Sequence, residues 1–169
     1  LGDMSLFMGA LFPENYTRRG LGQDYLVGMG CGAYDYLAEN ARKGRHIFAE
    51  LAGDFSVMLD LVANAGRVGA YLNAAMRDAV GSHPHVGEVR GEGLLCAVEL
   101  ATDKDSRTLY DPAEKIGPRI VAAMAADGVI ARAMPQGDIL GFAPPFCIAE
   151  TEVDQVVATT AKAIKTVLG

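Results

Sequence analysis

The chain has 169 residues, half of them hydrophobic and 21% charged, which is the balance of a globular protein long enough for one ordinary domain or two small ones. A formal net charge of −6 gives neither nucleic-acid phosphate nor an anionic membrane surface a general electrostatic reason to bind, so neither is expected as a partner. No apolar run approaches the roughly 18 to 20 residues that span a bilayer, and residues 1–11 lack a basic flank, so the expected location is cytoplasmic.

In chain order, Phe12-Pro13-Glu14-Asn15 is a candidate break and Arg18-Arg19-Gly20-Leu21-Gly22 a candidate loop. Leu26, Met29, Ala33, Tyr36 and Leu37 then recur at helical spacing, as do Phe48, Leu51, Phe55, Met58, Leu59 and Val62. Between them Arg42, Lys43, Gly44 and Arg45 form a polar break. A further helical stretch carries Ala65, Val68, Leu72, Ala75, Met76 and Ala79 on one face and stops at Gly81-Ser82-His83-Pro84.

The texture then alternates. Val86–Val89 and Leu94–Leu100 have strand length and composition. Asp111-Pro112-Ala113-Glu114 has the cap, the first-turn proline and the acid of a helix start, although Pro118 moves the regular helix toward Gly117. Val129-Ile130-Ala131 and Ile139–Phe142 are short strands about a turn at Pro135-Gln136-Gly137-Asp138. Thr151 and Asp154 can cap a last helix whose stripe is Val153, Val156, Val157, Thr160, Ala161, Ile164 and Leu168. The expected class is therefore α+β: a helical segment of unknown relation, residues 1–62, followed by a two-layer α/β sandwich, residues 63–169.

Few residues point to chemistry unaided. Cys31, Cys96 and Cys147 are far apart and read as buried reduced thiols. Gly28-Met29-Gly30-Cys31-Gly32 has the look of a phosphate loop, but it follows no strand and fits close helix packing better. His46, His83 and His85 are too dispersed for a metal site, and Ser82 beside His83 is adjacency rather than a triad, so no metal and no catalytic residue is assigned.

Longer blocks carry more. The run from His83 to Leu95, His-Pro-His-Val-Gly-Glu-Val-Arg-Gly-Glu-Gly-Leu-Leu, and the run Gly128–Pro145, together with the helix at Asn64–Leu72, resemble the C-terminal small domain of the class III (omega) pyridoxal-phosphate aminotransferases over residues 59–169, with wording nearest the amine:pyruvate type. The resemblance implies the small-domain fold of the fold-type I pyridoxal-phosphate enzymes. It also implies that Arg132 takes the substrate carboxylate, for which the guanidinium fork suits both oxygens; an ordinary surface ion pair is the alternative. Gly91, Gly93 and Pro144-Pro145 read as structural.

Such an enzyme needs a Schiff-base lysine, an acid against the pyridine nitrogen and a phosphate cradle, which lie upstream in the family. None of Lys43, Lys104, Lys115, Lys162 and Lys165 occupies a desolvated setting in this pattern, so no cofactor is expected in this chain. The expectation is a truncated or fused aminotransferase small domain, inactive alone and self-associating as a dimer, with an aminotransferase large domain as a candidate partner. A natural fusion and an engineered chimera would both give this pattern. A binding module whose function lies in the N-terminal helices is the alternative.

Overall fold

The computed structural model describes residues 2–3, 22–106, 108–134 and 138–169. The candidate break at Phe12–Asn15, the loop before Gly22 and residues 135–137 of the candidate turn lie outside the described residues. The chain divides into two compact units, Leu1–Gly66 and Arg67–Gly169.

In the first unit, α1 (Gln23–Asn40) and α2 (Arg45–Gly53) are separated at the polar break, where Gly44 takes φ +73° and starts α2. The helix α3 runs Phe55–Val80, so the apolar series from Phe48 to Val62 is split at Asp54 while the stretches on either side of Asn64 are one helix. The split is slight: Asp54 N–H still bonds the Glu50 carbonyl at 2.9 Å and its own carbonyl accepts Met58 N–H at 2.9 Å. Gly53 and Asp54 are both poor helix formers, which places the kink there.

The buried stripe of α1 differs from the expected one. Leu26 and Tyr34 are buried, whereas Tyr36 is 65% exposed and Leu37 is also exposed. Gly30 decides this, because a Cβ there would meet the Phe55 ring at 2.1 Å. The ring of Phe55 thus rests on bare backbone beside Tyr34, with ring centroids 6.0 Å apart, and Ala52, Phe48 and Met58 complete the cluster. The glycine run thus lies within α1 rather than in a loop, and Gly30 is its close-packed member, since a Cβ on Gly28 or Gly32 would meet nothing within 4 Å.

The second unit is built on a four-stranded antiparallel sheet of order β1-β2-β4-β3. Its strands are β1 (Val86–Glu92), β2 (Leu95–Leu100), β3 (Arg132–Ala133) and β4 (Ile139–Phe142). A two-residue turn joins β1 to β2, with Gly93 at φ +54° in its first central place, where a tight hairpin calls for glycine. Gly87 is an extra residue in β1, since Val86 pairs with Leu100 and Glu88 with Glu99. This bulge moves Val86 and Val89 to the same face and turns Glu88 and Arg90 to the other.

After a 3₁₀ turn at Pro112–Glu114, capped by Asp111 Oδ1 on Ala113 N–H at 2.9 Å, α4 runs Ile116–Ala126. Pro118 falls in its first turn, where its missing N–H costs no helical bond. Asp138 holds the start of α4 from outside, accepting Gly117 N–H at 3.0 Å. The last helix, α5 (Glu150–Leu168), packs on α4, which also packs on β3 and β4. Its cap is Ala149, whose N–H is accepted by Glu152 at 2.8 Å, rather than the expected Thr151–Asp154 pair. Asp154 instead accepts the Tyr71 hydroxyl at 2.6 Å.

Burial alternates along the strands: Cys96, Val98, Leu100, Leu140 and Phe142 are buried, Leu95 is exposed, and Ala97, Glu99, Ile139 and Gly141 are half-buried. With Ile120, Met124, Val153, Val157 and Ile164 the buried side chains form the core. Of the three cysteines expected to be buried, only Cys96 is, with its thiol pushed up to about 11 by burial. Cys31 is half-buried and Cys147 exposed in the turn after Pro144-Pro145, where Ile148 takes the buried place of that segment. No described helix is long and apolar enough to cross a membrane.

Candidate functional site

The register of the sheet places four residues in one row across its open face. Arg90 pairs with Ala97, Ala97 with Gly141, and Gly141 with Arg132. Directly paired residues project to the same side, so two guanidinium groups flank a floor of one methyl group and one bare backbone. Three inter-strand spacings separate the two Cα atoms, roughly 14 Å. A groove of about 1430 Å³ opens beside this row, lined by both arginines and by Leu95, Ile139 and Gly141 among others.

The two arginines differ in their company. Arg90 bonds Glu88 at 2.9 Å and Glu99 at 2.7 Å, and Glu99 does most to raise its pKa. Arg132 is exposed, and its side chain has no hydrogen-bond or ion-pair partner among the described residues. Of the two, Arg132 is the one whose fork is free to take an oxyanion in bidentate fashion.

Arg132 lies in β3 itself, whereas the sequence places it after a strand at Val129–Ala131. The end of α4 explains the shift. Gly128, at φ +84°, donates to Ala125 O at 3.1 Å and Val129 N–H to Met124 O at 3.0 Å, the paired bonds of a left-handed helix stop. Val129 therefore serves the helix cap, and pairing with β4 begins only at Arg132.

The hairpin that carries Arg90 is clamped to α3 at a point that no motif reveals. A Cβ on Gly69 would lie 2.1 Å from the Gly93 carbonyl carbon, and one on Gly91 would lie 2.1 Å from Leu95 O and 2.3 Å from Asn73 Oδ1. Asn73 Nδ2 donates to Gly69 O and Gly93 O, each at 2.9 Å, while its Oδ1 is buried without a partner among the described residues. Gly91 and Gly93 thus have structural uses, a close approach and a tight turn. The spacing of Gly69 and Asn73, one helical turn apart, is the only sequence signal for this contact.

None of the five lysines fits a Schiff-base position. All are exposed, Lys162 pairs with Asp127 at 2.8 Å, Lys104 donates to Gly81 O at 2.6 Å, and none lines the groove. Among the described residues no lysine is therefore held in the desolvated setting that a Schiff base to pyridoxal phosphate needs. His46 is exposed in the first unit and His83 and His85 sit in a turn of the second; no group of three metal-binding side chains occurs among the described residues. No hydrogen bond joins Ser82 to His83 there.

The profile of the family described as aminotransferase class-III matches residues 54–164, and the chain belongs to that family. It is 50% identical to the diaminobutyrate–2-oxoglutarate transaminase of Halomonas elongata over 82% of this chain and 30% of that enzyme. It is 34% identical to the taurine–pyruvate aminotransferase of Rhodobacter capsulatus over 62% of this chain and 24% of that one. Among solved structures it resembles a transaminase obtained by ancestral reconstruction, at TM-score 0.67 and 41% identity over 87% of this chain and 34% of that one. An (S)-enantioselective omega-transaminase from Thermomicrobium roseum is similar at TM-score 0.64 and 36% identity, over 72% and 27% of the two chains. The chain thus spans about a third or less of the length of these relatives. Since residues 63–169 are 107 of the 169, a match over 82% also reaches into the N-terminal segment that the sequence left without an assigned relation.

Proposed function

We propose that the chain is the C-terminal part of a class III aminotransferase, in which residues 63–169 act as the small domain and Arg132 receives the substrate carboxylate. The parent reaction moves an amino group from an amine or amino acid to a keto acid, with pyridoxal phosphate supplying the electrophilic carbonyl. This chain's part is to present Arg132 on the open face beside the small floor of Ala97 and Gly141, with Arg90 already satisfied by two carboxylates. A guanidinium held in this way fixes one end of a substrate and leaves its other end for chemistry supplied elsewhere.

The observation that carries the reading is the family match over residues 54–164 in a chain whose lysines are all exposed and away from the groove. Residues 1–62 are proposed to continue the same polypeptide, which the extent of the Halomonas match supports, rather than to form an independent binding module. Alone, the chain is proposed not to transaminate and to associate as a two-fold dimer through apolar surface such as Leu95 and Ile130, the latter 94% exposed. An assay with amine donors and pyruvate is expected to show no turnover. Turnover that disappears when one of the five lysines is replaced contradicts the reading. A hydrodynamic mass equal to the monomer at tens of micromolar counts against the dimer.

A further inference from the structure

The turn joining α3 to β1 holds a cluster that takes no part in the groove. The main-chain N–H of His85 donates to Nδ1 of His83 at 3.2 Å. His85 Nδ1 in turn lies 2.8 Å from the Tyr110 hydroxyl and 3.2 Å from the Ala101 carbonyl oxygen. The ring centroids of His83 and His85 are 5.8 Å apart, and those of His85 and Tyr110 6.0 Å. The cluster thus ties the end of α3 and the start of β1 to the segment that follows β2.

The two imidazoles have different partners at Nδ1. Nδ1 of His83 acts as an acceptor, so it carries no proton, and protonation would set an N–H against the His85 N–H. Pro84, between them, has no N–H to offer in exchange. His85 Nδ1, by contrast, is not bonded to His83: it lies within hydrogen-bond reach of the Tyr110 hydroxyl and the Ala101 carbonyl oxygen, and as an acceptor it takes the Tyr110 O–H.

We propose that His83 is an acid-labile latch: a proton on its Nδ1 releases the His85 amide and loosens the turn between α3 and β1. Burial, and secondly the neighbouring His85, lower the pKa of His83. Tyr110 stays protonated, its pKa raised by burial first and then by Glu114 and Asp138. Among the described residues, the other charged groups bonded beside this turn are Lys104, whose ammonium bonds Gly81 O, and Arg77, whose guanidinium bonds Val89 O at 3.3 Å. With the folded pKa below the ordinary 6.5, the stability His83 contributes is present above that value and is lost as pH falls through the folded one.

The test is an NMR titration of the 169-residue chain from pH 8 to pH 4.5, following the His83 ring protons and the His85 amide, beside the variants His83→Asn and His83→Ala. An asparagine Oδ1 accepts the His85 N–H at every pH. The expected result is that, in the unsubstituted chain, the His85 amide shift changes with the His83 midpoint and its protection from exchange falls about fivefold or more across it. In His83→Asn the amide is expected to stay protected throughout, and in His83→Ala to be unprotected throughout. A His85 amide unmoved as His83 titrates, a change that persists in His83→Asn, or a His83 that stays neutral across the range overturns the proposal. If His83→Ala does not fold, the other two proteins decide.

Discussion

On one face of the four-stranded sheet Cys96, Val98, Leu100, Leu140 and Phe142 are buried; on the other, one residue along the same strands, Arg90, Ala97, Gly141 and Arg132 form a row beside an open groove. The same strands supply both, and the two-residue alternation separates them. Stability is concentrated where apolar area leaves water, whereas the open face holds charges whose worth to folding is small. Within that open row the two arginines diverge again. Arg90 is neutralised by Glu88 and Glu99, and Arg132 has no partner among the described residues.

The contrast is tested most strongly from the buried side. Leu140→Ala or Ile164→Ala removes a fully buried side chain and is expected to cost about 2 to 5 kcal/mol in denaturant unfolding. If both leave the unfolding midpoint unchanged, the packing of α4 on the sheet and of α5 on α4 is wrong. Next come the close approaches. Gly69→Ala and Gly91→Ala each set a methyl group against backbone atoms 2.1 Å away, for an expected loss of roughly 1 to 3 kcal/mol by thermal unfolding. A smaller loss at both sites would show that the hairpin and α3 stand further apart.

The smallest effects separate the two arginines. Arg90→Ala is expected to cost about 0.2 to 1 kcal/mol, diminishing with added salt, since its ion pairs are part-exposed. Arg132→Ala should change stability by no more than about 0.5 kcal/mol, because it breaks no contact within the described residues. Equal losses from the two would mean that Arg132 is engaged in the fold and is not held ready for a ligand.

Much of this architecture is legible in the residues because local preference and burial agree. The stripe on α5, the strands about Gly93 and the first-turn place of Pro118 each follow from one local rule. The departures have non-local causes. Phe55 on Gly30 rotated the buried stripe of α1, and the Val129 N–H was taken by the end of α4, which moved β3 to Arg132. Arg132 was assigned through family resemblance, but its alignment with Arg90 depends on β4 lying between β2 and β3 and on the bulge at Gly87. Neither pairing order nor a one-residue bulge is written in periodicity. The Asn73 clamp escaped for the same reason, since its partner on the hairpin, the Gly93 carbonyl, is twenty residues away.

The central proposal, that this chain of the class III aminotransferase family offers Arg132 to a substrate carboxylate but holds no cofactor lysine, is tested most directly by adding pyridoxal phosphate, reducing with borohydride and mapping the modified lysines. The expected result is no imine absorbance at one equivalent of cofactor and only sparse labelling spread over Lys43, Lys104, Lys115, Lys162 and Lys165, all of them exposed. One lysine labelled stoichiometrically, together with an imine band that its replacement abolishes, would contradict it.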